Sequence, residues 1–599
     1  MRQISISIIA VIAASGSVVS ADTAAHTLNF QNVTSTRVNM TVDETVDNEK
    51  VLDIGDIDHD GDLDVAIGVA RGAFGERKNK LYINDNGVLN EVSGTSLIPG
   101  FASPDVSRCA YLRDFDGDGW LDIYVVNDDN NGFGEGTDKI YIARHPLGVL
   151  TECVDESSSR LPNNGFLGAS CGAVCEDFNM DGSPDVYAGN YPGDSQDVLL
   201  KNNGSGVFAN VTNTNMPVDA DYSIDGSFAD MNGDGLIDLL VSSEGDPNYI
   251  YYNNLNNAGS GPGDFSYPNS TQNLGGSDHV VMAMEAADFN GDGRMDIYWS
   301  NQTGTLDRIY QNTGNNVNGQ AMFDVLPVNV LPSLLTSRES RQAHMADLNN
   351  DGKTDVFVTS GPDGSNRRPV LLRNTSVNGE ISFVDWTPAP AFPVGTQLQG
   401  WEAISFDSNS DGDIDILIGA NSGDHLFEQV AGSEYAEGDL SGGVIPGVFN
   451  SDPAAVLGSS TTGEVDTYSV DISGSAGFLS VVLNGAGDYR LEILDGLGNV
   501  LETSDRGGIG VEEAIMHNAG NVTRQIRVTT LSVGTVPGDI NSDGIVDQAD
   551  LGILLSAFGN DAGGDLDGDE DTDQADLGIL LSNYLHDSSQ YVLEVLARN

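Results

Sequence analysis

The nine-residue segment DFDGDGWLD (114–122) decides the fold, because six more copies of its pattern occur in the same chain. The pattern is D-x-[DN]-x-D-G-x-x-D, and the other copies are DIDHDGDLD (56–64), DFNMDGSPD (177–185), DMNGDGLID (230–238), DFNGDGRMD (288–296), DLNNDGKTD (347–355) and DSNSDGDID (407–415). We number these seven segments loop 1 to loop 7 in chain order. Successive loops start 53 to 63 residues apart. A nearly fixed period of this length predicts one supersecondary unit per repeat.

The residue types within each loop predict a metal site. Positions 1, 3, 5 and 9 offer side-chain oxygens, position 7 offers a backbone carbonyl, and Ca²⁺ takes six to eight such ligands. The glycine at position 6 permits the positive φ that turns the chain around an ion. The predicted ligands are Asp56, Asp58, Asp60, Asp62 (carbonyl) and Asp64; Asp114, Asp116, Asp118 and Asp122; Asp177, Asn179, Asp181 and Asp185; Asp230, Asn232, Asp234 and Asp238; Asp288, Asn290, Asp292 and Asp296; Asp347, Asn349, Asp351 and Asp355; and Asp407, Asn409, Asp411 and Asp415.

Apolar segments on both sides of every loop predict strands, with the loop as the turn between them. A third segment follows, such as KLYIN (80–84) or VLLKN (198–202), and often a fourth, such as VFANVT. Four strands in each of seven repeats predict a mainly β chain that forms a seven-bladed β-propeller over residues 22–432. LNFQNVT (28–34) has the pattern of a fourth strand without its own loop, so we expect it to pair with the last repeat.

The repeats resemble FG-GAP/VCBS repeats, which form the blades of the integrin α-subunit head and of many secreted bacterial proteins. The resemblance covers about residues 27–430. It implies that each loop is a structural Ca²⁺ site in a turn between strands. Loop 3 departs from the pattern with Pro184 at position 8, which we expect to stiffen the turn and leave every ligand in place.

The charge and the N-terminus indicate where the protein works. The formal net charge of −64 repels nucleic acid and anionic membranes. Residues 1–21 have the layout of a secretory signal peptide: Met1-Arg2, an apolar run over 4–14, and V-S-A before Asp22. That run is too short for a membrane helix. We therefore expect a secreted, extracellular or cell-surface protein without membrane insertion.

Residues 445–533 lack the loop pattern and alternate partly with a period of two, which favours a small β-sandwich. The segments VDTYSVDIS (465–473) and YRLEILDGLGN (489–499) resemble the bacterial pre-peptidase C-terminal domain, a non-catalytic module. YVLEVLA (591–597) has the composition of a strand. We expect residues 590–598 to complete the sandwich, so that the segment between is an insertion.

That segment, residues 537–586, contains a second duplication, and each copy has a 12-residue loop of EF-hand spacing followed by a predicted α-helix. The copies, 538–558 and 564–584, share the sequence QADLGILLS. They resemble a type I dockerin, which implies a cohesin-type scaffold as partner and brings the expected number of Ca²⁺ sites to about nine. The predicted side-chain ligands are Asp539, Asn541, Asp543, Asp547 and Asp550, and Asp565, Asp567, Asp569, Asp573 and Asp576.

The four cysteines, Cys109, Cys153, Cys171 and Cys175, favour disulfides in an exported protein. Four residues along one strand span about 13 Å, so Cys171 and Cys175 are too far apart to bond to each other. We therefore expect each to pair elsewhere, with the connectivity open. A zinc site is the alternative.

No segment carries a convincing catalytic signature. The match to G-x-S-x-G at 168–172 leads into a predicted strand, which is the wrong context for a nucleophile elbow. Two functions stay open: a non-catalytic module that binds a carbohydrate or protein ligand, and a polysaccharide-degrading enzyme, either a lyase or a glycoside hydrolase. We expect His59 to be a solvated turn residue and His279, His344 and His425 to be packing or surface residues. The aromatic residues to inspect for ligand binding are Tyr141, Tyr191, Tyr251, Tyr252 and Trp299.

Overall fold

The fold is known from a computed structural model in which defined segments are described. These segments are residues 30–40, 50–69, 78–103, 107–127, 137–146, 148–165, 170–190, 196–218, 221–257, 261–275, 280–302, 307–332, 339–349, 353–361, 369–377, 379–387, 398, 400–409, 414–420, 423–429, 454–459, 465–470, 478–485, 488–495, 498–504, 513–518, 524–532 and 590–598.

The described residues are mainly β, and seven antiparallel sheets follow one another along the chain, which confirms the prediction of four strands per repeat. Sheets 1 to 7, in chain order, consist of Lys50–Gly55, Asp64–Val69, Lys80–Asp85 and Val88–Glu91; Ser107–Arg113, Asp122–Asn127, Lys139–Arg144 and Glu152–Asp155; Ser170–Glu176, Asp185–Asn190, Val198–Asn202 and Phe208–Asn210; Ser223–Ala229, Asp238–Ser243, Asn248–Tyr251 and Thr271–Gly275; Val281–Ala287, Asp296–Asn301, Arg308–Asn315 and Ala321–Val325; Ser340–Ala346, Asp355–Ser360, Val370–Asn374 and Phe383–Asp385; and Gly400–Phe406, Asp415–Ala420 and Gly423–Gln429.

Helices in the described part of the chain are single short turns. The α-helices are Thr34–Arg37, Ser157–Arg160 and Thr212–Asn215, and the 3₁₀ helices are Pro99–Ala102, Pro162–Gly165, Leu255–Asn257 and Val328–Val330. No helix among the described residues has the length and apolar character needed to cross a membrane.

Sheet 7 receives its fourth strand from the N-terminal part of the chain. Phe30–Asn32 pairs antiparallel with Gly423–Gln429, with Phe30 opposite Gln429 and Asn32 opposite Phe427. This confirms the predicted pairing of the N-terminal segment with the last repeat. A further short strand, Val38–Asn39, pairs in parallel with Val88–Glu91 of sheet 1. The N-terminal segment therefore connects the first sheet with the last.

The sheets pack face to face in chain order, and the seventh packs on the first. The first strand of each sheet contacts the first strand of the next, and Gly400–Phe406 of sheet 7 contacts Lys50–Gly55 of sheet 1. Every residue of the second strands is buried, because each of these strands lies between two neighbouring sheets. This explains why the second strands are nearly continuous apolar runs in the sequence. One core cluster joins Leu52 and Val65 of sheet 1 to Phe406 and Leu417 of sheet 7.

A recurrent asparagine in or just after the third strand connects neighbouring repeats. Its side-chain amide donates to the backbone carbonyl at position 2 of the loop in the preceding repeat. We call this contact the asparagine link. The links are Asn202 to Phe115 (2.8 Å), Asn253 to Phe178 (2.7 Å), Asn312 to Met231 (2.9 Å), Asn374 to Phe289 (3.0 Å) and, from sheet 1 back to loop 7, Asn84 to Ser408 (3.0 Å). Each loop that accepts such a link is thereby fixed to the next sheet.

We expect Asn312→Ala to destabilise the protein markedly, because Asn312 is buried and makes three side-chain hydrogen bonds. Its amide donates to Met231 O and to Met295 O (3.1 Å), and its Oδ1 accepts from Gly314 N (3.0 Å). Unpaired buried groups cost about 1–3 kcal/mol each, so we expect a loss of roughly 2–4 kcal/mol. Chemical denaturation in calcium measures this. The control is Asn318→Ala at an exposed position, and equal stability of the two variants contradicts the role of the link.

Two further four-stranded sheets are formed by the C-terminal part of the chain. One has the order Ala454–Ser459, Gln590–Arg598, Phe478–Gly485, Glu513–Asn518, and the other has the order Val465–Val470, Arg524–Ser532, Asp488–Leu494, Val500–Ser504. Gln590–Arg598 forms in the region where the sequence predicts a last strand, and it pairs antiparallel with both of its neighbours. The described chain leaves these sheets at Ser532 and re-enters them at Gln590.

Candidate metal-binding loops

Every loop joins the first and second strands of its sheet, so all seven lie at the same end of their sheets. The carboxylate at position 1 accepts the backbone N–H groups of positions 5 and 6. In loop 4, Asp230 accepts from Asp234 N at 3.1 Å and from Gly235 N at 2.8 Å. The same pair of contacts occurs in loops 1, 2, 3 and 5. Each of these loops therefore curls around its own first side chain.

The glycine at position 6 has the backbone conformation that the sequence predicts. Gly61 has φ 105°, and Gly293 has φ 82°. A residue with a Cβ is strained at such angles, whereas glycine is not. In loop 2 the oxygens of positions 1, 3 and 5 converge beside this turn.

The carboxylate at position 9 is the buried anchor of the loop. In loop 4, Asp238 accepts Met231 N at 3.0 Å through Oδ2 and Asn253 N at 2.9 Å through Oδ1. In loop 5, Asp296 accepts Phe289 N at 3.2 Å and Asn312 N at 2.8 Å. The residue thus ties the start of the loop to the third strand, a role that sequence reasoning missed. The available signal was that position 9 is also the first residue of the apolar second strand, where a carboxylate is buried and needs hydrogen-bond donors.

Loop 1 shows that the donor set fits a cation. Asp56, Asp58 and Asp64 each offer a carboxylate oxygen, and these oxygens all lie within 4.8 Å of one another. Two ligands that each lie about 2.4 Å from one Ca²⁺ ion are separated by at most about 4.8 Å. In loop 2 the carboxylates of Asp114, Asp116 and Asp118 converge within the same distance. Oxygen-only donors at this spacing would suit a hard divalent cation.

Burial and mutual repulsion make these carboxylates costly to charge without a cation. Burial, reinforced by the charge of Asp60, raises the pKa of Asp58 to about 7. Burial raises the pKa of Asp230 to about 6 and that of Asp296 to about 8. Asp64 and Asp238 are fully buried, and their pKa values lie well above the usual range for the same reason. A bound cation compensates the repulsion and allows the loops to be fully ionised at neutral pH.

We expect the metal-free protein to lose stability as the pH rises from 5 to 8. The pKa values of Asp58 and Asp296 are about 7 and 8 in the folded chain, whereas an unfolded Asp titrates near 3.9. The folded state therefore holds extra protons over this range. The stability that they provide is complete below about pH 4 and is lost as the pH rises through the folded values. Thermal melts in chelator measure this slope.

Asp58→Asn is the matched variant for this prediction, because five of the other loops carry asparagine at position 3. It removes one of the titrating groups, so the melting temperature in chelator should fall less steeply with pH than in the wild type. A metal-free melting temperature that rises between pH 5 and 8 would contradict the prediction.

Aromatic side chains connect loops 1 and 2. The ring of Trp120 stacks on His59 (centroids 3.8 Å apart, 7° between planes) and on His145 (4.6 Å, 6°). His145 Nε2 lies 2.7 Å from Asp118 Oδ2. His59 is a turn residue with φ 62°, as expected, but it is only half-exposed, because its ring packs against the next repeat. The sequence carries a weak signal for this stack in the tryptophan at position 7 of loop 2.

In loops 2 and 5 one arginine side chain contacts one predicted ligand position. Arg160 forms an ion pair with Asp116 at 3.2 Å. In loop 5, Arg294, which is itself at position 7, pairs with Asp292 at 2.5 Å. The loop 2 carboxylates of Asp114, Asp116 and Asp118 still converge. Loop 3 has a different arrangement, in which Lys201 contacts two ligand positions.

The structure describes part of the remaining predicted ligands. In loops 6 and 7 it includes Asp347, Asn349, Asp355, Asp407, Asn409 and Asp415. Asp355 accepts Asn374 N at 2.7 Å, and Asp415 accepts Gln429 N at 2.8 Å, so the anchor at position 9 recurs in both loops. Asp351, Asp411 and all the predicted ligands between 537 and 586 lie outside the described residues.

Comparison with known proteins identifies the repeats. The sequence matches the FG-GAP-like repeat over residues 56–125, 177–241, 230–299, 288–358 and 347–418, which together make up just over half of the chain. The chain belongs to the FG-GAP-like repeat family. Each matched segment begins at the first residue of one loop and ends within the second strand of the next sheet. The unit of similarity is therefore the loop together with its flanking strands.

The FG-GAP-like chain is also similar to curated proteins. Cartilage acidic protein 1 of Mus musculus is 24% identical over 393 residues, which are 61% of this chain and 56% of that protein. Cartilage acidic protein 1 of Xenopus tropicalis is 24% identical over 394 residues, again 61% of this chain and 56% of that protein. The chain spans about half the length of the curated relatives it matches.

Among solved structures, the rhamnogalacturonan lyase PL11 of Bacillus licheniformis aligns over 68% of this chain and 76% of its own. The identity is 12% and the TM-score is 0.37. A likeness of this size supports no inference about activity.

Three of the four cysteines of this FG-GAP-like chain are described, and they are free thiols. Cys109, Cys153 and Cys175 are buried in the cores of sheets 2 and 3 and form no disulfide. The expectation that the cysteines pair is wrong for these three. Burial raises the pKa of each thiol, which keeps it protonated and unreactive. Cys171 lies in the strand Ser170–Glu176, and its side chain is outside the described part.

The described histidines and candidate aromatics have packing roles. His344 is buried, its Nε2 accepts Ser405 N at 3.0 Å, and burial lowers its pKa to about 3. Such a group stays neutral and cannot act as an acid near neutral pH. Tyr141, Tyr251, Tyr252 and Trp299 are buried, so they do not form a ligand platform. His279 and Tyr191 lie outside the described residues.

Proposed function

We propose that this protein is a secreted, calcium-stabilised, seven-bladed β-propeller that binds a carbohydrate or protein ligand without catalysing a reaction. The convergence of carboxylate oxygens in loop 1 carries the calcium part of the proposal. Loops 2 to 5 support it, because their first carboxylates curl the chain in the same way. The calcium ions have a structural role: they offset the repulsion between the buried carboxylates that bind them.

The propeller interpretation rests on the way the sheets contact one another. Seven sheets contact each other in series, and contacts between the seventh and the first complete the series. The link from Asn84 to Ser408 and the shared core of sheets 1 and 7 support closure at that point. Closure in this manner protects sheet edges and buries the second strands on both faces. A rigid, closed platform of this kind suits a binding module.

Attachment and secretion are proposed from the sequence. The apolar run before Asp22 supports export, and the paired EF-hand-like loops of 537–586 support a dockerin that binds a cohesin-type scaffold. The path of the described chain supports an insertion of this segment into a β-sandwich, since the strands on either side of it belong to the same pair of sheets. The protein would then present its propeller at the scaffold.

The non-catalytic assignment is supported by the buried histidine and tyrosines described above and is tested by activity. Purified protein in millimolar Ca²⁺ is incubated with acidic and neutral polysaccharides, and both co-sedimentation and product release are scored. We expect no new reducing ends and no unsaturated uronates. Release of either product overturns the non-catalytic assignment and makes the protein a glycoside hydrolase or a polysaccharide lyase. Asp58→Asn serves as a variant with a weakened calcium loop. Polysaccharide binding that depends on calcium should weaken in this variant, whereas adhesion through the overall charge of the protein should not.

A further inference from the structure

In loop 3 a partly exposed lysine of the same repeat, Lys201, contacts the predicted metal ligands. Lys201 Nζ lies 3.0 Å from Asp181 Oδ2, at position 5, and 3.2 Å from Asn179 Oδ1, at position 3. These are two of the four side-chain oxygens that the loop pattern assigns to calcium. One ammonium group therefore bridges two ligand positions.

The fold holds the backbone of residue 201 beside the loop. The next residue, Asn202, donates its N–H to Asp185 at 2.7 Å and its side-chain amide to Phe115 O and Pro184 O. In every repeat the position 9 carboxylate accepts a backbone N–H from a residue in or just after the third strand, and Lys201 is the residue just before that N–H donor in repeat 3. The residues at the same place in the other repeats are Ile83, Ile142, Tyr252, Gln311, Arg373 and Glu428. Loop 3 is the loop in which this position carries a lysine.

The remaining ligands of loop 3 have partners that suit this arrangement. The Asn179 amide nitrogen donates to Asp185 Oδ2, which leaves Asn179 Oδ1 directed toward the ammonium. Asp177 accepts Asp181 N at 3.0 Å and Gly182 N at 2.8 Å. All four predicted side-chain ligands of the loop thus have hydrogen-bond or ion-pair partners from the chain itself.

We propose that Lys201 is an internal counterion that takes the place of Ca²⁺ in loop 3. This inference rests on the proposed calcium function of the other loops. The ammonium and a divalent ion would share the carboxylate of Asp181, and like charges so close repel each other. We expect loop 3 of the wild type to bind Ca²⁺ at least about tenfold more weakly than the same loop without the lysine charge. The repeat keeps its folded loop without the ion.

Counting bound ions in variants of the full chain tests the proposal. Lys201→Met keeps most of the apolar stem and removes the charge. At a buffered micromolar concentration of free Ca²⁺, native mass spectrometry should find one more ion on Lys201→Met than on the wild type. Lys78→Met, at an exposed position outside the loops, should have the wild-type count. Adding Asn179→Ala to Lys201→Met should abolish the gain, because it removes a ligand of loop 3.

The outcomes separate this inference from the proposed function. Equal, non-zero counts on the wild type and on Lys201→Met overturn the role of Lys201 and leave calcium binding by the other loops intact. A wild-type chain that holds no ion at saturating Ca²⁺ overturns both.

Hydrogen exchange gives a second test that needs only the wild-type protein. Chelation should accelerate exchange in the segment 56–64 of loop 1 and leave the segment 177–185 of loop 3 unchanged. Equal acceleration in both segments contradicts the proposal, whether or not Lys201→Met folds.

Discussion

Excess EDTA at neutral pH is expected to lower the melting temperature of the seven-sheet unit by about 15 °C or more. Each ion present at 100 times its dissociation constant contributes about 2.7 kcal/mol to stability. Several such sites together exceed the entire stability of an ordinary domain. In the chelated protein the carboxyl groups of Asp56, Asp58 and Asp64 stay within 4.8 Å of one another without a cation to offset their repulsion. Calorimetry with and without EDTA measures the shift.

Controls show whether the effect belongs to calcium in the loops. Added Ca²⁺ in excess of EDTA should restore the original melt, whereas Mg²⁺ should restore much less, because it requires a stricter octahedral geometry and keeps its waters. Asp58→Asn should respond less strongly to EDTA than the wild type, since it lacks one charged ligand of loop 1. An unchanged melt in EDTA would remove the basis of the metal assignment.

A chain that ends at Ser588 is expected to lose the folded structure of the two C-terminal sheets. It lacks Gln590–Arg598, which is a central strand that pairs with Ala454–Ser459 on one side and with Phe478–Gly485 on the other. Removal of a central strand leaves Ala454–Ser459 without its partner in that sheet and uncovers backbone groups along both neighbours. The buried Val481 and Leu483 belong to one of those neighbours. Calorimetry should then show the transition of the seven-sheet unit and no transition of the C-terminal sheets.

The control for this truncation is a chain that ends at Arg598, which keeps the whole strand and should melt like the full protein. Replacing residues 537–586 by a short Gly/Ser linker should also preserve the C-terminal transition, because the strands on both sides of the segment remain. A chain ending at Ser588 that retained both transitions would contradict the idea that the segment is an insertion in this domain.

Much of the repeat was predictable because its signals are local. The period of the loops, the apolar runs on either side and the glycine at position 6 each act over a few residues, and they predict the turn and its two strands directly. Even the pairing of Phe30–Asn32 with the last sheet followed from a local pattern, since that segment looks like a fourth strand without its loop.

The contacts between repeats were not predictable, because they depend on how neighbouring sheets face each other. Nothing in VLLKN (198–202) shows that Asn202 reaches the carbonyl of Phe115 in another repeat, or that Lys201 lies against loop 3. The cysteines illustrate the same limit: export favours disulfides in general, whereas the burial of Cys109 and Cys175 in strand cores is a property of the packed sheets. The packing of His59 was missed because its partner, Trp120, belongs to the next loop.

The asparagine links recur at five junctions between repeats, and they are absent where repeats 1 and 2 meet. Sheet 2 has Ala143 at the position where five other sheets have the linking asparagine. The junction between repeats 1 and 2 therefore depends on other contacts. These are the stack of His59, Trp120 and His145 and the buried ion pair of Asp53 with Arg113. Repeats that arose as copies are therefore no longer interchangeable parts. If the gene segments for repeats 2 and 4 were exchanged, every repeat would still carry its own turn and strands, but the junctions on either side of the moved segments would be mismatched.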